Sequence, residues 1–169
     1  MKHHVFTSES VSEGHPDKIC DRISDALLDA YLLKDPYART GLETLATTNR
    51  VILAGEVSSS VPLNAEMRAE IVRSCIRDIG YEQEGFHWEK VMIQDYIHEQ
   101  SPDIAQGVSG ENDAPEGAGD QGIMFGHASR ETDVLMPAPL HYAHEILKNL
   151  SVARHKGSIP GIKPDAKCQ

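Results

Sequence analysis

The residues near the start of the chain with the clearest chemical potential lie in the segment Glu13-Gly14-His15-Pro16-Asp17-Lys18. Pro16 is typical of the first turn of a helix, where free N–H groups and the helix dipole attract anions. Asp17 offers the hard oxygen ligand that Mg²⁺ prefers, and His15 could stabilise charge on a leaving oxygen. The local sequence is explained more simply by a capped helix with an acidic first turn, so this alternative stays open.

A second segment, Gly117-Ala118-Gly119-Asp120-Gln121-Gly122, matches the G-x-G-x-x-G pattern of dinucleotide-binding loops. That pattern belongs between a strand and the helix that follows it, whereas this segment follows an acidic loop and precedes a strand-like run. We therefore reject a Rossmann dinucleotide site. Two interpretations remain: a loop that approaches a ligand closely, with Asp120 as a polar contact, or an ordinary series of turns.

Three further polar residues lie in or beside predicted strands. Gln100 begins a long loop that could gate a site, although the local sequence alone favours ordinary loop chemistry. Glu43 and Glu56 lie in strand-like runs, where an inward carboxylate needs a partner or an ion and an outward one does not. The sequence contains no P-loop pattern, and His141 and His144 lack the further ligands of a zinc site.

Alternating helical and strand-like patterns must position these residues. Apolar spacing predicts helices over residues 16–35, 65–79 and 139–155. Strand patterns cover residues 5–11, 38–48, 51–59, 91–97 and 123–128, with a turn at Asn49-Arg50. Strands paired as hairpins, with helices between them, favour an α+β fold over a doubly wound sheet.

The composition excludes several classes of partner. The 169 residues include 16 Lys or Arg and 26 Asp or Glu, giving a formal net charge of −10. Such an acidic surface disfavours nucleic acid and anionic membranes, and a polyphosphate substrate would need metal ions or basic groups from elsewhere. We predict no signal peptide and no membrane-spanning run. The three cysteines (Cys20, Cys75 and Cys168) form no C-x-x-C pair, which favours reduced thiols and a cytoplasmic location.

Taken together and in order, four segments resemble those of one known family. Phe6-Thr7-Ser8-Glu9-Ser10-Val11-Ser12-Glu13-Gly14-His15-Pro16-Asp17-Lys18 is similar to the opening of the methionine adenosyltransferases, also called S-adenosylmethionine synthetases. Gly117-Ala118-Gly119-Asp120-Gln121-Gly122-Ile123-Met124-Phe125-Gly126 resembles the first signature of that family. Residues 131–139 and 163–167 also resemble family segments. The chain is identified as a member of this family over essentially its whole length.

The resemblance implies an activity and an architecture. The expected reaction joins ATP and L-methionine into S-adenosylmethionine and releases phosphate and pyrophosphate, assisted by Mg²⁺ and K⁺. The expected fold has three similar α+β domains, each a small β-sheet with helices on one face, and an active site between two subunits of a homodimer or homotetramer. Residues 1–101 would form the N-terminal domain, about 100–122 a gating loop, and 114–169 the truncated beginning of the central domain.

The resemblance also implies roles for residues near the reacting atoms. His15 would contact ATP near the leaving oxygen, and Asp17 would be a magnesium ligand. Glu43 would belong to the potassium site. Asp120 would lie in the signature loop, near the substrate.

The remaining roles implied by the resemblance concern substrate binding. Glu56 and Gln100 would hold methionine. Asp165, Ala166 and Lys167 would line the ATP site, with Lys167 meeting phosphate. Lys167 is therefore grouped with His15, Asp17 and Asp120 as catalytic.

Family chains continue well beyond residue 169, and the later basic residues expected to clamp the triphosphate are absent from this sequence. One alternative function is therefore an inactive fragment that only binds nucleotide or pairs with another subunit. A nucleotide-binding domain of another family, which rests on the G-x-G-x-x-G match alone, is the third hypothesis.

Overall fold

A computed structural model describes residues 4–100 and 121–169 and shows an α+β fold. A three-stranded sheet contains β2 (Arg39–Thr47), β3 (Arg50–Ser58) and β6 (Met92–Glu99), in the order β2-β3-β6. The helices α1 (Pro16–Leu32) and α2 (Ala65–Ile79) share a core with one face of this sheet. The predicted fold class is confirmed.

The sheet combines two kinds of pairing. Strands β2 and β3 form an antiparallel hairpin that runs from Arg39 opposite Ser58 to Thr47 opposite Arg50. Strand β6 then adds to β3 in parallel. The hairpin turn lies at residues 48–49, one residue earlier than predicted, because Asn49 adopts a left-handed conformation with φ of 47° that asparagine tolerates.

The core lies between the helices and the sheet. Its largest cluster contains Ile19, Ile23, Leu27, Val51, Leu53, Val72, Cys75, Ile76, Ile79, Tyr81 and Val91. Helical spacing also predicted that Leu33, Met67 and, in the helix predicted over 139–155, Tyr142 and Ile146 face inward, and all four are exposed. Met67 is 46% exposed, because α2 turns Val72 and Ile76 inward, and Leu33 is 88% exposed beyond the end of α1.

A second, smaller group of elements contains β1 (Ser10–Val11), α3 (Ala138–His155) and β7 (Lys167–Cys168). Strands β1 and β7 pair antiparallel, with Ser10 opposite Cys168 and Val11 opposite Lys167. Helix α3 packs against both strands, and buries Ala143 and Leu147. Residues that are more than 150 positions apart in the sequence are therefore paired in one small sheet.

Two differences from the predicted elements concern short strands. The predicted strand over residues 123–128 is wrong: these residues have no regular structure and are exposed, since no strand in the described ranges pairs with them. Conversely, the hairpin formed by β4 (Glu82–Gln83) and β5 (Phe86–His87) was not predicted. Its strands have two residues each, which is too short for a periodic pattern. No helix in the described part of the chain is long and apolar enough to cross a membrane.

Asp35 anchors the turn after α1 and should make stability depend on pH. Its buried carboxylate accepts hydrogen bonds from the Ser60 N–H (2.7 Å), the Ser60 hydroxyl (2.9 Å), the Tyr37 N–H (3.0 Å) and the Ser59 hydroxyl (3.1 Å). The bond from the Ser60 N–H, followed by the others, lowers the pKa of Asp35 below its usual value. The stabilisation is therefore complete above the ordinary aspartate pKa of about 3.9 and is lost as pH falls through the lower folded-state pKa.

We expect Asp35→Asn to lower the free energy of unfolding at neutral pH and to reduce its dependence on pH below about 4. Urea unfolding of both proteins across the acid range measures this difference. Asp29→Asn, which changes an exposed aspartate of α1, is the matched control. An unchanged acid slope in Asp35→Asn would contradict the assignment.

Candidate active site

The turn between β1 and α1 places His15 and Asp17 at a helix N-terminus. His15 is the N-cap residue, and its Nδ1 accepts a hydrogen bond from the Asp17 N–H at 3.3 Å. Pro16 follows at the first helical position, as predicted. The Asp17 side chain is 90% exposed, and its Oδ2 lies 3.7 Å from His15 Nδ1. The cap uses the Asp17 N–H and leaves the Asp17 carboxylate exposed, so capping does not exclude a metal-binding role for this carboxylate.

Ser12 joins this turn to residues 163–167. Its hydroxyl donates to the Pro164 carbonyl at 2.6 Å and accepts from the Ala166 N–H at 2.7 Å. The Ser12 N–H donates to the Ala166 carbonyl at 2.9 Å. Gly14 packs so closely on Pro164 that a Cβ atom would overlap the Pro164 backbone. The first and last segments that resemble the family therefore form one continuous surface.

Basic side chains contribute positive charge to this surface. Lys167 Nζ lies 2.9 Å from Glu9 Oε2, and both side chains are about half exposed. Lys18 Nζ donates to the Val11 carbonyl at 2.6 Å. Asp165 is exposed between Pro164 and Ala166. Glu9 was assigned no role from the sequence, although it lies within the opening segment. An anionic ligand would compete with the Glu9 carboxylate for the Lys167 ammonium.

Side chains from distant parts of the sequence hold Glu13 and Gly14, the two residues before His15. Glu13 Oε1 accepts from Ser151 Oγ (2.5 Å), Arg154 Nη2 (2.6 Å) and His155 Nε2 (2.9 Å). Burial alone would raise the pKa of Glu13, but the hydrogen bonds from these three side chains outweigh it and lower the pKa.

Tyr81 reaches the same turn from the end of α2. Its hydroxyl donates to the Gly14 carbonyl at 2.5 Å. Burial raises the pKa of Tyr81 to about 12, so this hydroxyl keeps its proton and remains a donor at neutral pH. Tyr81 and Arg154 were not predicted to have any functional role, because only the fold brings them to this turn.

Glu43, Glu56 and Gln100 form a separate group on the outer face of the sheet, opposite α1 and α2. Glu56 lies beside His98 in the parallel register, with 3.7 Å between Oε1 and Nε2. The Gln100 N–H donates to the Val57 carbonyl at 3.0 Å, which continues the parallel pairing beyond Glu56 and His98. Glu43 is exposed and pairs with Ala54, two residues before Glu56 on the same face.

The structure therefore places the predicted site residues in two groups. His15, Asp17, Asp165, Ala166 and Lys167 surround the start of α1, whereas Glu43, Glu56 and Gln100 lie on the outer face of the sheet. Within residues 4–100 and 121–169, no hydrogen bond joins the two groups. Asp120 and all but the ends of the predicted gating loop lie outside the described residues.

A metal ion held by these groups would need several clustered donor atoms. Among the side chains that the structure describes, no three His, Cys, Asp or Glu residues cluster in a way that could hold a metal. The exposed Asp17 carboxylate fits Mg²⁺ that arrives with a polyphosphate, because Mg²⁺ commonly uses one or two carboxylates and substrate phosphates. Glu43 offers one exposed carboxylate on the outer face of the sheet.

Comparisons with known proteins agree across nearly the whole chain. Residues 3–102 match the family model described as S-adenosylmethionine synthetase, N-terminal domain, and residues 115–169 match the model described as its central domain. Proteins named S-adenosylmethionine synthase are similar to this chain in Paramagnetospirillum magneticum (59% identity, covering 99% of this chain and 43% of the relative) and Rhodospirillum centenum (61%, covering 98% and 43%). This chain thus spans less than half the length of these relatives.

Proposed function

Because this chain belongs to the S-adenosylmethionine synthetase family, we propose that it forms the N-terminal part of an enzyme that makes S-adenosylmethionine from ATP and L-methionine. Phosphate and pyrophosphate are the other products. The observation that carries the proposal is the contact of Ser12 with Pro164 and Ala166, which joins two distant family segments around His15, Asp17 and Lys167. We place the enzyme in the cytoplasm.

In this proposal, the start of α1 receives the triphosphate of ATP. The free N–H groups of the first helical turn and the Lys167 ammonium attract its negative charge. His15 Nδ1 accepts the Asp17 N–H, which favours the neutral tautomer with its proton on Nε2. That Nε2–H can donate to the oxygen that leaves the 5′ carbon of ATP. Magnesium held by Asp17 would supply charge neutralisation to the phosphates.

The outer face of the sheet receives methionine. The Glu56 carboxylate is two-thirds buried and can pair with the ammonium group of the amino acid, with Gln100 as a further contact. Glu43 would belong to a potassium site on the same face. Catalysis then consists of bringing the methionine sulfur to the 5′ carbon and stabilising charge, with no covalent enzyme intermediate.

The same face supports pairing of two subunits. It exposes Leu45 (54%), Met92 (52%) and Tyr96 (61%) beside Glu43 and Glu56. A second subunit laid on this face would bury apolar surface and enclose the methionine-binding residues. We therefore propose that the complete enzyme is a homodimer or a pair of such dimers.

The direct test is a synthesis assay with ATP, methionine, Mg²⁺ and K⁺. We expect product from a full-length chimera, made by joining residues 1–169 to the C-terminal remainder of the Paramagnetospirillum magneticum relative. We expect none from the 169-residue chain alone, since this chain covers 43% of that relative. A folded chimera that binds ATP but forms no S-adenosylmethionine would refute the proposal.

A second candidate function follows from the same short coverage. The chain alone would then be an inactive module that binds nucleotide or pairs with a full-length subunit. Mixing it with the Paramagnetospirillum magneticum relative and measuring mass by light scattering tests the pairing. Detection of only the two separate proteins, with no mixed dimer, would exclude this pairing.

A further inference from the structure

We propose that Tyr81 and Arg154 are positioning residues for the reaction, because together they hold the two residues that precede His15. Tyr81 Oη donates to the Gly14 carbonyl at 2.5 Å, and Arg154 Nη2 donates to Glu13 Oε1 at 2.6 Å. We call this pair of contacts the turn clamp. The inference rests on the proposed function, since it concerns the same start of α1.

The tyrosine side of the turn clamp is rigid. Tyr81 is 5% exposed, and its ring meets Phe86 edge to face with 4.9 Å between the ring centroids. Its N–H donates to the Ile76 carbonyl at 3.2 Å, and its carbonyl accepts the Trp88 N–H at 3.1 Å. The backbone and the ring are therefore both fixed, so the hydroxyl has little freedom to follow a moving Gly14.

The arginine side joins two helices to the turn. Arg154 lies in the last turn of α3, and its side chain is 12% exposed. The same Nη2 that contacts Glu13 donates to the Ile79 carbonyl at the end of α2, also at 2.6 Å. A Cβ on Gly80 would lie 2.6 Å from Arg154 Nη1, so a glycine at this position also leaves room for the guanidinium. Motion of Glu13 is therefore resisted by both helices.

These contacts should matter for turnover as well as for folding. Glu13 and Gly14 directly precede the N-cap His15, so a shift of the turn moves both His15 and the start of α1. A misplacement of about 1 Å in a reacting group can reduce a rate by about a hundredfold. Neither Tyr81 nor Arg154 belongs to the residues that we assign to substrate, so their effect would pass through the turn.

The experiment compares Tyr81→Phe and Arg154→Met in the full-length chimera. Each should lower kcat by about tenfold and leave KM for methionine within about twofold, because methionine is assigned to the outer face of the sheet. The double variant should lose much less than the product of the two single effects, since both residues hold one turn. Tyr31→Phe, which removes the hydroxyl of another buried tyrosine far from this turn, is the matched control and should keep kcat.

Amide hydrogen exchange in the 169-residue chain gives a readout that does not need activity. Tyr81→Phe should speed exchange at residues 14–18 more than Tyr31→Phe does. The turn clamp is refuted if Tyr81→Phe changes neither this exchange nor kcat and only lowers thermal stability. If the parent chimera makes no product, the proposed function fails, and the exchange result still decides whether Tyr81 positions the turn.

Discussion

We expect Asp17→Asn in the full-length chimera to lower the turnover of S-adenosylmethionine synthesis by at least about a hundredfold. A metal ion on phosphoryl oxygens contributes several kcal/mol of charge stabilisation, and each 1.36 kcal/mol corresponds to about a tenfold rate. Asparagine keeps the size of aspartate but removes the negative charge that would hold Mg²⁺. The measurement is kcat at saturating ATP and methionine over a range of Mg²⁺ concentrations.

The fold should tolerate this substitution. The Asp17 side chain is 90% exposed, and the bond to His15 Nδ1 comes from the Asp17 backbone N–H, which asparagine retains. Asp21→Asn, one turn further along α1 and also exposed, is the matched control and should keep its turnover. Near-normal turnover of Asp17→Asn would remove Asp17 from the metal site.

The largest expected loss of stability follows from Arg68→Ala. Arg68 Nε lies 2.6 Å from Asp95 Oδ2, and both side chains are 13% exposed. The same guanidinium donates to the Leu63 carbonyl and reaches Tyr31 Oη at 3.4 Å. Removing one partner of a buried ion pair leaves the other charge uncompensated, so we expect a loss of about 3–5 kcal/mol in the free energy of unfolding. Urea unfolding of the 169-residue chain measures it.

Two controls separate the buried charge from general effects on α2. Arg77→Ala removes a half-exposed arginine of the same helix and should cost less than about 1 kcal/mol. Replacing Arg68 and Asp95 together with methionine and leucine should restore much of the loss, because no unpaired charge then remains buried. A loss for Arg68→Ala as small as that for Arg77→Ala would show that the pair contributes little.

The elements that the sequence predicted correctly are those with long local patterns. Helices α1 and α2 and the β2–β3 hairpin repeat apolar residues over two or more turns or along nine-residue strands. The two-residue strands β1 and β7 have no such pattern, and they exist because the chain brings them together. The apolar run over 123–128 looked like a strand but pairs with no strand that the structure describes.

The candidate site also contains residues that the sequence indicated and residues that only the structure reveals. Family resemblance implied roles for His15, Asp17 and Lys167 one by one, but nothing local indicated that Ser12 would join their two segments. Tyr81 and Arg154 could not be found from spacing, since their contacts with Gly14 and Glu13 depend on where α2 and α3 end. Residues whose roles arise only from tertiary contacts carry no local signal.

The pairing of β1 with β7 also has a consequence for synthesis on the ribosome. Ser10 leaves the exit tunnel early, whereas its partner Cys168 emerges only after almost all of these residues have been translated. At roughly 5–20 residues per second, the delay is on the order of ten seconds or more. During this interval α1 can form, but Ala166 and Lys167 do not yet lie beside its first turn. The proposed nucleotide site therefore cannot assemble in a nascent chain until translation has passed this point.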